Sequence, residues 1–135
     1  MKKHKGQAVV EFAVVLPLFL LVLFGIIYSG MLFYDYSSLS NLARSSAREA
    51  AITQNLTDSK RTEIENFYKT KTNDLLTSLY TPDATNPFKI SYSASDNSVG
   101  VTITMKRNDV PILVEMVLPE EYKIEYYMKR DEQSS

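Results

Sequence analysis

The sequence contains no cysteine and no tryptophan, and its single histidine, His4, lies in the first few residues. Without cysteine there is no disulfide, no zinc–thiolate centre and no thiol nucleophile. A lone histidine, with no GxSxG turn and no phosphate-binding glycine run, leaves no converging set of reactive groups. No enzyme activity, metal site, cofactor or small-molecule substrate is therefore expected. Charge of one sign is not in excess either: 15 basic against 16 acidic residues give a net charge of −1, so no global field draws nucleic acid. The short basic runs Met105-Lys106-Arg107 and Met128-Lys129-Arg130 are too small for such an interface. Neighbouring acids, Glu120 with Glu121 and Asp131 with Glu132, read as solvated surface rather than as an acid/base pair. The 135 residues leave room for one small domain and an anchor.

What is present is a long apolar run behind a basic stub. Lys2, Lys3 and Lys5 precede it, and no charged residue occurs from Phe12 to Tyr34. As a helix, these roughly 23 residues extend about 35 Å, enough to cross the hydrocarbon core of a bilayer. The run is too long for a cleavable secretory signal, and the lysines hold the N-terminus on the cytoplasmic side. Pro17, Gly25 and Gly30 fall inside it, where membrane helices tolerate them as kink or helix-contact positions. Glu11 stands at its head, and a carboxylate there costs a few kcal/mol unless it reaches the interface or a cation. A cut after Gly6 would create an α-amino group on Gln7, four residues before Glu11 and on the same helical face.

Past the membrane the helical period continues through Leu39, Leu42, Ala43, Ala47, Ala50 and Ala51, with Arg44 and Arg48 on a solvated face. Thr57 or Asp58 caps a second helix whose stripe is Ile64, Phe67, Tyr68, Leu75, Leu76 and Leu79. TPDATNP, residues 81–87, ends it. Beyond that turn the period changes to two. Phe88, Ile90, Tyr92 and Ala94 alternate with polar residues, as do Val99, Val101, Ile103 and Met105, and then Tyr122, Ile124, Tyr126 and Met128. VPILVEMVLP, between the last two, reads equally as a turn of helix or a loop. The alternation sets Tyr127 opposite Tyr122 and Tyr126, as a contact for a neighbouring subunit. The expected fold is α+β: a long transmembrane helix continuing as an amphipathic helix, a second helix, then a small three-stranded antiparallel sheet.

Lys5-Gly6 followed by QAVVEFAVVLP resembles the N-terminus of type IV prepilin-like proteins, and its VEFA-x-V-L-P form resembles the TadE-like minor pseudopilins of tight-adherence (Flp) pili. LSNLARSSAREAA, VGVTITMKRNDVP and EYKIEYYMKRDE are similar to later parts of that family. The resemblance implies a pilin-like fold in four parts: a basic leader, 1–6; a transmembrane helix, 7–35; an extracytoplasmic domain, 36–131; and a flexible tail, 132–135. It implies that a prepilin peptidase cuts after Gly6, that Gln7 becomes the mature N-terminus and that Glu11 is the assembly glutamate. The implied partners are the membrane, that peptidase, other pilins and pseudopilins and the pilus assembly platform, with roles in pilus biogenesis and adhesion and an extension to secretion. The competing reading is an uncleaved, single-pass anchor carrying an extracytoplasmic interaction or adhesion module.

Overall fold

A computed structural model describes residues 2–130; Met1 of the leader and the tail 132–135 lie outside the described residues, as does Asp131. The apolar run and the amphipathic stretch after it form one helix, α1 (Lys2–Ile52), which passes Pro17 without a break. Its first half stands out from the domain, with Val9, Val14, Leu18 and Phe19 all exposed. From Tyr28 onward one face enters the core, with Leu39, Ala43, Ala47 and Ala50 fully buried. Small alanines allow the rest of the domain to approach the helix closely.

The second helix, α2 (Asp58–Leu75), starts where expected, with Thr57 as N-cap accepting from the Lys60 N–H. It buries Ile64, Tyr68 and Thr72, while Phe67 and Leu75 of the expected stripe face outward. The helix ends at Leu75 because Leu76 turns to extended backbone (φ −83°, ψ 147°). Leu79 is thus a core residue from the turn between α2 and β1, not from the helix.

The sheet has four strands: β1 (Tyr80–Pro82), β2 (Phe88–Ser93), β3 (Ser98–Arg107) and β4 (Glu121–Lys129). All pairings are antiparallel. β3 is central; β4 lies along one edge, and β1 and β2 follow each other along the other, Tyr80 opposite Arg107 and Phe88 opposite Ile103. The expected sheet lacked β1, which is three residues long and ends in proline; its structure comes from pairing with β3 rather than from a local pattern. The ambiguous apolar stretch contains a single helical turn, α3 (Ile112–Glu115), in the connection between β3 and β4.

Val99, Val101, Ile103 and Met105 turn one face of β3 onto α1, completing a core with Ile90 and Ile124. Glu65 of α2 accepts from the backbone N–H of Ile90 at 2.8 Å, so the second helix also covers a donor on the β2 edge. On the outer face Tyr127 is 65 % exposed, opposite to Tyr122 and Tyr126 as the alternation requires. Its ring lies over Gly100, where a Cβ would come within 2.7 Å of the ring.

Candidate functional site

Gly6 and Gln7 lie in the first turns of α1, and a Cβ built at Gly6 meets nothing within 4 Å. Four residues on, Glu11 is exposed, and the side-chain amide of Gln7 donates to its Oε1 at 3.5 Å. The helical spacing therefore brings the two residues together on one face, as expected. Among the described residues Glu11 enters no ion pair. Gly25 and Gly30 also have open space where a Cβ would stand, so neither is a contact point within the chain's own helix–domain packing in the way a buried glycine would be. Gly25 borders an open crevice facing α3.

The apolar half of α1 reaches a mean hydropathy of 2.8 over 18 residues, with 0 % of that window buried. This fits a single-pass membrane protein.

A second site, which the sequence reading missed, sits where the apolar run meets the domain. Asp35 is fully buried. Its Oδ1 accepts from the backbone N–H of Thr77 at 2.9 Å and its Oδ2 from the Thr77 hydroxyl at 2.6 Å. These are charge-assisted bonds in a dry setting, which makes them strong. They hold the chain as it leaves α2, just before Leu79 and Tyr80 enter the core. Asn108 secures the same stretch, donating its amide to Ser78 O and its backbone N–H to Leu79 O. Beside it the rings of Tyr80 and Tyr122 meet edge to face at 4.7 Å. Burial pushes the Tyr122 hydroxyl far above the ordinary tyrosine range, and the charges of Asp35 and then Tyr80 add to the effect. The same burial raises Tyr80, against a lowering by Arg107. The signal that could have exposed Asp35 was its position: one acid closing an otherwise uncharged run, where the helix turns toward its own domain.

Arg44 is exposed, as expected of a solvated face, and its guanidinium carbon lies 5.8 Å from the centre of the Tyr126 ring. Among the described residues no group of three or more His, Asp or Glu side chains is arranged to hold a metal ion.

A helix whose apolar first half is exposed and whose second half packs onto a small antiparallel sheet defines the class: an α+β protein with one candidate membrane-spanning helix near its N-terminus. Residues 6–48 match the model of the family described as TadE-like protein, the same family that the N-terminal motif resembles. That family is structural and associated with Tad pili. No curated protein and no solved structure matches the chain.

Proposed function

We propose that the chain is a minor pseudopilin, cut after Gly6 by a prepilin peptidase and assembled through Glu11 into a tight-adherence pilus that serves attachment. The observation that carries this reading is the pairing of Gln7 and Glu11, side chain to side chain, at the head of a helix whose apolar half is exposed among the described residues. After cleavage the α-amino group of Gln7 stands on that face. A carboxylate in lipid costs a few kcal/mol unpaired, and a cation on a neighbouring subunit offsets that cost while fixing the axial register between helices. Gly25 and Gly30 leave room for those neighbours to approach, and the assembly platform and other pilins are the partners.

The lysine stub supports one orientation, with the N-terminus in the cytoplasm and residues from about 36 onward outside. Protease added to intact protoplasts should remove the domain; protection until lysis would reverse the topology.

Glu11→Gln tests the assembly role. Insertion and processing should be unchanged, since the amide enters lipid more cheaply and lies beyond the scissile bond, whereas co-purification with pilus components should be lost. Normal co-purification and normal piliation would reduce Glu11 to an interfacial carboxylate. A second reading is favoured by one feature: α1 is helical through Gly6 and Gln7, and a peptidase needs that turn unwound. In that reading the chain stays uncut and serves as an anchored adhesion module.

A further inference from the structure

The connection between β3 and β4 presents an apolar surface that the core does not use. Within it Val114 and Leu118 are buried pegs, while Ile112, Leu113, Met116 and Val117 are 76 %, 62 %, 81 % and 63 % exposed. The segment is held by several bonds. Arg107 donates from Nη1 to Leu118 O at 2.6 Å and to Glu115 O at 3.4 Å, its Nη2 pairs with Glu115 Oε1 at 3.4 Å, and the Tyr80 hydroxyl donates to Pro119 O at 2.8 Å. The Arg107 pair also draws the one acid within α3 back toward the domain. Four large apolar side chains are thus offered outward from a fixed platform, a costly arrangement in water.

Its position along α1 identifies the occupant. Leu113, Met116 and Val117 border an open apolar crevice of about 560 Å³ whose other wall is Leu21, Phe24 and Tyr28. Those α1 residues belong to the uncharged run, and the exposed Asp109 lines a neighbouring crevice with Phe24, Ile27, Tyr28 and Met31, so the edge of the hydrocarbon falls near Phe24 rather than at Tyr34. We propose that α3 is a second membrane contact: Ile112, Leu113, Met116 and Val117 enter the outer leaflet beside α1, and acyl chains fill the crevice between them. This rests on the reading of α1 as the membrane span. Asp109 and Glu120, both exposed, flank the patch. The attraction is therefore apolar, toward zwitterionic lipid, and not electrostatic attraction to an anionic surface. The outer boundary of the hydrocarbon is then set by two elements of the chain.

The absence of tryptophan makes the test direct. The full chain would be reconstituted in phosphatidylcholine vesicles with and without brominated acyl chains, carrying a single tryptophan in each of four variants. Val14→Trp reports the span, Ile112→Trp and Met116→Trp report α3, and Tyr127→Trp reports the solvated outer face of the sheet. Bromination should take most of the emission from Val14→Trp, Ile112→Trp and Met116→Trp and none from Tyr127→Trp. Quenching at Val14→Trp with water-like, unquenched emission at both α3 positions overturns the proposal and leaves the span standing. Loss of quenching at Val14→Trp as well overturns both. A blue shift at α3 that grows with protein density, without quenching, assigns the patch to a second copy of the chain and also overturns the proposal.

Discussion

With tryptophan in place of Gly6, the chain is expected to remain at full length in the membrane, whereas the native chain is expected, on the proposed reading, to yield a mature N-terminus at Gln7. Two effects act in the same direction. A peptidase pocket that accepts a residue without a side chain has no room for an indole. Glycine is also the weak point of the first helical turns, and replacing it removes up to about 1 kcal/mol of the cost of keeping that turn helical. The chain itself loses nothing, since the position opens onto empty space. Gly6→Ala separates the two causes: it strengthens the turn while adding only a methyl group, so partial processing points to helix stability and complete block to the pocket. The uncut chains keep Lys2, Lys3 and Lys5 at the cytoplasmic surface and should not be extracted into fibres. A native chain whose intact mass still includes the leader would remove the basis of the processing scheme and favour the permanent anchor.

Asp35→Ala is expected to lower the stability of the domain by roughly 2–4 kcal/mol, the scale for removing a charged acceptor from two buried hydrogen bonds, part of the loss being offset because no carboxylate then has to leave water. The backbone N–H of Thr77 loses its partner, and the connection leading to Leu79 and Tyr80 loses its tie to α1. Asp35→Asn keeps one acceptor oxygen and should fall between the two. Urea unfolding in detergent, followed through the near-ultraviolet signal of the tyrosines, measures this; far-ultraviolet helix signal from the apolar half of α1 should persist past the transition. An unchanged midpoint in Asp35→Ala would show that the buried carboxylate contributes no net stability at that junction.

The parts of the structure legible in the sequence are those with a sustained period. Phe12–Tyr34 announces itself by lack of charge, and Val99, Val101, Ile103 and Met105 announce β3 by strict alternation that the core uses in full. What was hidden depends on partners distant in sequence. Tyr80–Pro82 is a strand only because Thr81 and its neighbours face Lys106 across the sheet. Leu79 fits a helical stripe by spacing, yet the backbone has already left the helix at Leu76. Asp35 carries no local pattern; its meaning comes from Thr77, on another element. At the other site the spacing of Gln7 and Glu11 was readable because a helix makes four residues a contact.

α1 joins the lipid phase to the domain as 51 residues of uninterrupted helix, with no loop between the two. At 1.5 Å per residue it is a rod of about 76 Å. Mechanically this makes it a lever: the domain is clamped to the outer arm and has no joint of its own. A tilt of the rod in the bilayer carries the far end sideways by about 1 Å for each degree, and a twist about its axis swings the outer face of the sheet through the same angle. Axial pull on the buried arm likewise reaches the sheet without slack. The direction in which Tyr127 and its neighbours face is therefore set by how the apolar arm is seated, and a torque or thrust applied to that arm reaches the sheet through continuous helix.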